Sequence, residues 1–120
     1  MKLRSLKFKS VKSTNDVALT LIKKNNTRPS IILSERQTKG RGTMGKKWVS
    51  KKGNLFLSIY FDMSKKKVDF KQFAVLNAYL LKSIFAKKFS NKIKIKWPND
   101  LLFKKKKICG ILQETVFNAG

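Results

Sequence analysis

The chain has 120 residues, of which 42% are hydrophobic, and this length supports one compact domain with a single core. Its 29 lysines and arginines against 6 aspartates and glutamates give a net charge of +23, which favours anionic partners such as nucleic acid, nucleotide phosphates or an acidic protein. One cysteine excludes an intrachain disulfide and a multi-cysteine zinc site, and the absence of histidine excludes an imidazole base, so chemistry must rest on cations, backbone amides and carboxylates.

The first third of the chain predicts a strand, a helix and a second strand. Polar and apolar residues alternate over 5–11, which is typical of a half-buried strand. Ser13 can cap a helix, with Asp16 three residues later in capping-box spacing, and the apolar stripe that follows predicts a helix over about 14–25. The apolar run 31–33 predicts a short buried strand.

The middle third begins with a glycine-rich, cationic segment over 37–54, which we expect to be a mobile loop. Long loops in compact domains are usually functional. Residues 54–61 give the strongest strand pattern in the chain, and the lysines at 65–67 predict a solvated turn. Asp69 can cap the helix that follows, whose apolar residues recur at helical spacing over 70–85.

The last third predicts three strands with hairpin character. Residues 93–97 form a strand pattern that ends in a turn at Pro98, and the patterns at 101–103 and 108–116 predict a hairpin around the lysines at 104–106. Together, the elements of the chain predict an α+β fold. We expect a mixed, mostly antiparallel sheet with helices packed on one face, not a doubly wound parallel sheet.

A G-x-G-x-x-G pattern lies at residues 40–45, directly after a predicted strand. A dinucleotide-binding unit requires a helix to open at these glycines, whereas here another strand follows, and the histidine-containing motif that accompanies a kinase glycine loop is missing. One interpretation remains: the glycines let the backbone approach an anion, whose charge Arg41, Lys46 and Lys47 can neutralise. The alternative is a solvated, flexible loop.

Two further motifs follow the second predicted helix. Residues 96–100, Lys-Trp-Pro-Asn-Asp, end a strand with an aromatic ring, a proline and two short polar side chains that can hydrogen-bond a ligand; the alternative is a plain turn. Residues 107–112 place Lys107 at the start of an apolar strand and Gly110 where a partner can approach the backbone closely. We expect Cys109 to be a small buried residue and not a nucleophile.

Four blocks in order, at residues 13–15, 37–48, 96–100 and 107–114, resemble the signature of the biotin protein ligase catalytic domain. The resemblance covers nearly the whole chain and implies the fold shared by biotin and lipoate ligases and class II synthetases. The family's catalytic domain continues beyond the last residue of this chain. The resemblance therefore implies one partial catalytic domain over residues 1–120, without an N-terminal DNA-binding domain.

The resemblance implies a site for biotin and ATP. In the family, neutral side chains at the first helix and just before the glycine loop contact biotin, because a ureido ring is recognised by neutral hydrogen-bonding groups. The glycine loop folds over biotin and its adenylate. The asparagine–aspartate pair lies near ATP and the incoming lysine, and a strand glycine lines the biotin pocket. Placed on this sequence, the binding residues are Ser13, Thr14, Asn15, Gln37, Gly40, Arg41, Gly42, Thr43, Trp48, Asn99, Lys107 and Gly110.

The implied reaction has two steps. The biotin carboxylate attacks the α-phosphate of Mg-ATP to give biotinyl-5′-AMP, and a lysine of the biotin carboxyl carrier protein of acetyl-CoA carboxylase then takes the acyl group. Both transition states concentrate negative charge, and Arg41 and Lys107 are the implied catalytic cations. Asp100 is the carboxylate that would orient the lysine nucleophile or bind Mg²⁺.

Two positions depart from the family pattern, and two other functions stay open. Thr43 stands where many members have arginine, and Lys46 where arginine is common, so retention of the adenylate is expected to differ. The nearest alternative is a lipoate or octanoate ligase or transferase-type domain, against which residues 96–100 argue. The second is a basic nucleic-acid-binding module with sequence-blind, salt-sensitive binding, although a lysine-biased proteome would produce the same charge.

The apolar segments predict no leader and no membrane span. The first ten residues lack a continuous hydrophobic stretch, and the longest apolar run, 55–61, is interrupted and has the length of a strand. We therefore expect a cytoplasmic protein with no membrane partner and no specific nucleic acid. A homodimer is compatible with the sequence.

Overall fold

The structure is a computed structural model that describes residues 2–63 and 69–117. These residues form two compact units, one of residues 2–63 with 116 and 117, the other of residues 69–115. The turn predicted at 65–67 lies outside the described residues. A single domain over the whole chain stays a prediction.

The first unit is built around a β–α–β crossover. Its elements are β1 (Arg4–Val11), α1 (Thr14–Lys23), β2 (Ser30–Gln37), a 3₁₀ turn (Thr43–Gly45) and β3 (Phe56–Tyr60). The sheet order is β1-β2-β3, with β1 parallel to β2 and β2 antiparallel to β3. A parallel pair needs a crossover connection, and α1 provides it by returning the chain to the start of β2.

Both ends of α1 are fixed by local hydrogen bonds. Ser13 Oγ accepts from the Asp16 N–H at 3.1 Å, which confirms the predicted cap. At the other end, Asn25 takes a left-handed conformation with a φ of 62°, and the Asn26 N–H donates to the Leu21 carbonyl at 2.9 Å. This Schellman ending stops the helix earlier than the sequence pattern predicts.

The face of the sheet under α1 is apolar at its centre and carries buried hydroxyls around it. Ile32 is fully buried and packs with Ala18 of α1 and Tyr60 of β3. Three buried serines share this face: Ser30, Ser34 and Ser58. Because a buried hydroxyl must find a hydrogen-bond partner, these serines determine where neighbouring polar groups lie.

The second unit combines one long helix with an antiparallel meander. Its elements are α2 (Phe70–Lys88), β4 (Lys94–Lys96), β5 (Asp100–Phe103) and β6 (Lys106–Gly110), in the sheet order β4-β5-β6. The helix packs on β4 and β5, with Ala78 and Leu101 fully buried. The β5–β6 hairpin turns through Lys104 and Lys105, whose φ values of 50° and 65° are the left-handed geometry of a two-residue hairpin loop.

The predicted α+β class is confirmed, and the strand predictions need three corrections. The described strands form two three-stranded sheets, where one sheet was predicted. The strand predicted over 31–33 runs over Ser30–Gln37, because it pairs with a neighbour on each side. The strand predicted over 108–116 begins at Lys106 and ends at Gly110. In each case a non-local pairing partner, which local pattern does not encode, decides the outcome.

Asp69 stands at the N-cap position of α2, but its side chain makes no capping hydrogen bond, so the predicted cap is wrong. The apolar periodicity that predicts the helix does not depend on this cap. No helix in the described part of the chain is both long and apolar enough to span a bilayer.

Candidate functional site

A cluster of neutral polar side chains lies where α1 begins and β2 ends. Ser13 and Thr14 are buried, with 2% and 4% of their surface exposed. The Thr14 backbone N–H and hydroxyl both donate to Gln37 Oε1, at 2.8 and 3.2 Å. These bonds orient the amide of Gln37, with its oxygen towards α1 and its nitrogen towards the loop that follows β2.

Two serines extend this cluster in opposite directions. Gln37 Nε2 donates to Ser50 Oγ at 3.1 Å. On the other side, the buried Ser58 Oγ lies 2.7 Å from Thr14 Oγ1 and also contacts Asn15 Oδ1. A run of hydrogen bonds therefore connects β3, α1, β2 and the loop. The donors and acceptors of the cluster are fixed by the protein itself, which is the preorganisation that a binding site requires.

The glycine-rich loop folds back on itself. The Trp48 N–H donates to the Gly40 carbonyl at 2.9 Å, and the Gly42 N–H donates to the Lys46 carbonyl at 2.7 Å. The turn Thr43–Gly45 forms the tip of this loop and is exposed. Part of the predicted loop thus has a defined backbone pairing.

Gly40 lies where the loop meets the neutral cluster. It is buried, and a Cβ at this position would lie 2.5 Å from Ser50 Oγ, 2.7 Å from the Trp48 carbonyl oxygen and 3.0 Å from Gln37 Nε2. A side chain here would push these groups apart, so the close approach requires glycine. A Cβ on Gly42 would make only ordinary contacts, the nearest at 3.6 Å.

Arg41, the next residue of the loop, is held by a carboxylate of α1. Its Nη2 and Nε atoms lie 2.7 and 2.9 Å from the same oxygen, Asp16 Oδ1. The two side chains are 32% and 41% exposed. The pair joins the loop to the first turn of α1, so a cation stands beside the neutral cluster.

In the second unit, the β5–β6 hairpin carries an acid, a lysine and an asparagine close together. Lys107 Nζ lies 3.1 Å from Asp100 Oδ2, and their side chains are 42% and 14% exposed. Asp100 pairs across the sheet with Gly110. Beside them, Asn99 Nδ2 donates to the Ile111 carbonyl at 2.9 Å, and the Ile111 N–H donates back to the Asn99 carbonyl at 3.0 Å. These bonds fix the backbone that positions the acid.

Asp100 has two predicted roles, to orient the lysine nucleophile or to bind Mg²⁺. The described residues contain no group of three or more histidine, cysteine, aspartate or glutamate side chains that could hold a metal ion. Asp100 Oδ2 faces the Lys107 ammonium at 3.1 Å. Because Mg²⁺ bound to a nucleotide is often held by only one or two carboxylates together with the phosphates, both roles of Asp100 stay predictions.

Cys109 lies on β6, across from Leu101. Burial raises the pKa of its thiol, the negative charge of Asp100 raises this pKa further, and the nearby Lys107 lowers it. A thiol with a raised pKa is mostly protonated near neutral pH and is a poor nucleophile. The raised pKa agrees with the prediction that Cys109 is not a nucleophile, whereas the side chain is half-buried and not buried as predicted.

The predicted site residues fall into two groups, one in each unit. The first group is Ser13, Thr14, Asn15, Gln37, Gly40, Arg41, Gly42, Thr43 and Trp48, with Thr43 on the exposed tip. The second group is Asn99, Asp100, Lys107 and Gly110.

Sequence reasoning does not identify three residues of these networks: Ser50, Ser58 and Asp16, the last as a partner of Arg41. Only Ser58 carries a signal, as a small polar residue at an inward position of an apolar strand. The partners of Ser50 and Asp16 depend on how the loop folds.

Comparison with known proteins gives a consistent result. A family model described as the biotin/lipoate A/B protein ligase family matches residues 7–120. The bifunctional ligase/repressor BirA of Escherichia coli strain K12 is 31% identical over 111 residues, covering 92% of this chain and 34% of BirA. BirA of Bacillus subtilis strain 168 is 32% identical over 105 residues, covering 85% of this chain and 32% of BirA. The chain thus spans 34% and 32% of the length of these relatives.

Solved structures give the same family of neighbours. The biotin acetyl coenzyme A carboxylase synthetase of Helicobacter pylori, with bound biotinylated ATP, has a TM-score of 0.86 and 28% identity, covering 96% of this chain and 56% of that one. The biotin protein ligase of Aquifex aeolicus, in complex with biotin and ATP, has a TM-score of 0.80 and 28% identity, covering 93% of this chain and 47% of that one.

The packing around Gly40 predicts a specific effect of a methyl group. Gly40→Ala should displace Ser50 and Trp48 and destabilise the fold by about 1–3 kcal/mol, the usual effect of overpacking. Trypsin should then cleave faster at Lys46 and Lys47. Gly42→Ala is the matched control, since its Cβ has room and its φ of −103° suits alanine. Equal melting temperatures and cleavage rates for both variants would contradict the packing described for Gly40.

The surroundings of Cys109 predict a pH dependence that reports the Asp100–Lys107 pair. Alkylation by iodoacetamide should have its midpoint above that of a small free thiol, because the thiolate is disfavoured by burial and by Asp100. Asp100→Asn should lower the midpoint and Lys107→Met should raise it. The only cysteine in the chain is the probe. Asp69→Asn, an exposed acid of the same unit, should leave the midpoint unchanged, and a common midpoint in all variants would refute the arrangement.

Proposed function

The chain belongs to the biotin/lipoate A/B protein ligase family, and from this membership we propose that it is the biotin-activating part of a biotin protein ligase. In the first proposed step, an oxygen of the biotin carboxylate attacks the α-phosphorus of ATP, pyrophosphate leaves and biotinyl-5′-AMP forms. In the second step, a lysine amine of a biotin carboxyl carrier protein attacks the acyl carbon, AMP leaves and an amide bond forms. The proposal includes a cytoplasmic location.

One observation carries the proposal: a partly buried, neutral hydrogen-bonding cluster stands beside an arginine on a glycine loop. The cluster offers hydroxyl and amide groups from Thr14, Asn15 and Gln37, and the loop brings Arg41 to its edge through Asp16. A ligand that matches this arrangement has a neutral polar ring and an acidic tail. Biotin has a ureido ring and a carboxylate. The neighbour from Helicobacter pylori has bound biotinylated ATP, and the one from Aquifex aeolicus is in complex with biotin and ATP.

The first unit supplies recognition of biotin in this proposal. Ser13, Thr14, Asn15 and Gln37 hold the ureido ring by neutral hydrogen bonds. Arg41 binds the carboxylate and then the phosphate of the adenylate. The loop wraps these groups through Gly40, Gly42, Thr43 and Trp48, and the indole of Trp48 helps to exclude water.

The second unit supplies charge for the reacting groups. Lys107 stabilises the negative charge that develops at the carboxyl–phosphate junction, and fixed cations of this kind are a main source of rate enhancement in acyl and phosphoryl transfer. Asp100, already within 3.1 Å of one ammonium, orients the incoming lysine amine. Asn99 contacts ATP, and Gly110 lets the ligand approach the backbone. Mg²⁺ enters as the counter-ion of ATP, and Asp100 is the carboxylate that would bind it in the alternative role.

Substrate choice distinguishes this function from the related lipoate and octanoate reactions. We expect the protein to catalyse exchange of labelled pyrophosphate into ATP in the presence of biotin. Lipoate and octanoate lack the ureido ring and should lower kcat/KM by at least about 100-fold, because they cannot form the hydrogen bonds that the neutral cluster offers to that ring. Exchange that responds to lipoate or octanoate alone would overturn the assignment.

The two proposed cations can be tested in the same exchange reaction. Arg41→Ala and Lys107→Ala should each lower the rate by about 100-fold or more, which is the range for removal of one transition-state contact. Both side chains are partly exposed, so the free energy of unfolding should change by only about 0.5 kcal/mol. Lys51→Ala and Lys106→Ala remove the same charge from exposed positions and serve as controls. Wild-type exchange rates in the Arg41 and Lys107 variants would refute these roles.

A further inference from the structure

The contact between Asp16 and Arg41 is more specific than surface attraction between charges. Nε and Nη2 of the guanidinium both meet a single carboxylate oxygen, at 2.9 and 2.7 Å, and the two residues are 25 positions apart. In a chain with 29 basic residues and 6 acidic ones, a carboxylate has many possible partners. A partly exposed ion pair of this kind adds little to the free energy of unfolding. Its main effect is to fix the positions of the two side chains.

Asp16 is itself held in place by the helix that carries the neutral cluster. Its backbone N–H donates to Ser13 Oγ at 3.1 Å, within the first turn of α1. The next contacts of that turn are those of Thr14 with Gln37. The carboxylate thus connects the position of Arg41 to the groups that would hold the ring of the ligand.

An arginine on a glycine-rich loop needs such a restraint. Its long side chain loses conformational entropy when it binds an anion, and the loss is smaller if the side chain is already ordered. A guanidinium has five N–H donors, and the contacts with Asp16 use two of them at one edge. The carboxylate therefore orients the guanidinium from its Nε–Nη2 edge.

We propose that Asp16 is a positioning residue: its carboxylate holds the Arg41 guanidinium at the place where the acid tail of the ligand binds. This inference rests on the proposed function, in which that tail is the carboxylate of biotin. Asp16 touches neither ring nor nucleotide in this proposal. It acts only through Arg41, and the opposite outcome, in which Asp16 competes with the ligand for Arg41, is a result of the same test.

The test compares two probes that differ only in the charge of the tail. Dissociation constants for biotin and for biotinamide are measured by calorimetry, without ATP, and their ratio isolates recognition of the carboxylate. A charge-assisted contact predicts that biotinamide binds at least about tenfold more weakly than biotin. Arg41→Ala should bring this ratio close to one.

The Asp16 variants then decide the inference. Asp16→Ala should lower the ratio at least about threefold while the affinity for biotinamide stays unchanged, which shows that the neutral cluster is intact. Asp16→Asn keeps an oxygen that can accept from Arg41 and should retain most of the ratio. If Asp16→Ala is unstable, Asp16→Ser repeats the test, because the serine side chain is polar but too short to reach Arg41. Glu35→Ala removes an exposed carboxylate of the same unit as the charge control.

A double variant excludes a merely structural effect. In the Arg41→Ala background, Asp16→Ala should have no further effect on the ratio, because the residue through which it acts is gone. An unchanged or increased ratio in Asp16→Ala overturns the inference, as does an additive effect in the double variant. Equal affinities of the wild-type protein for biotin and biotinamide also overturn the inference, but they do not contradict the proposed recognition of the ureido ring. If neither probe binds, the proposed function fails, and the inference fails with it.

Discussion

The hydrogen bonds from Thr14 to Gln37 hold the candidate site together, and the topology of the first unit makes them possible. Since β1 and β2 run parallel, both strands end at one edge of the sheet, with Val11 opposite Gln37. α1 begins shortly after β1 at that same edge, so its first turn meets the last residue of β2. Residues 23 positions apart become neighbours through the crossover. A slip of one residue between the strands would turn the Gln37 side chain to the other face and separate the pair.

The start of α1 and the glycine-rich loop differ in burial, and this difference gives them different roles in recognising a ligand. Ser13 and Thr14 are only 2% and 4% exposed, and their hydrogen bonds are made within the protein, so this part of the site pays little ordering entropy when a ligand binds. The loop tip has the opposite character, with Met44 96% exposed. Adjustment to a ligand is therefore concentrated at the tip, while Gly40 anchors the base of the loop against the cluster.

Local pattern predicts the elements well because their causes are local. Alternation of apolar residues gives β1 and β3, and the Ser13 cap gives the start of α1. The binding residues come from the resemblance of ordered blocks, which carries their identity but not their contacts. Contacts across the sequence, such as Ser58 with Asn15 or Arg41 with Asp16, depend on strand pairing and loop folding that no short window encodes. The same limit explains the single predicted sheet, because strand pairing is a non-local property.

The chain has few acidic residues, and two of them fix the positions of the proposed catalytic cations. A net charge of +23 produces a broad positive field, which attracts anions but does not select a place for them. Asp16 and Asp100 each lie against one of the cations with a proposed catalytic role, one pair in each unit. The field and the pairs thus act at different ranges: the lysines raise the local concentration of anionic substrates, and the two carboxylates fix the cations that must meet the reacting charge. Additional surface lysines would strengthen the first effect without supplying the second.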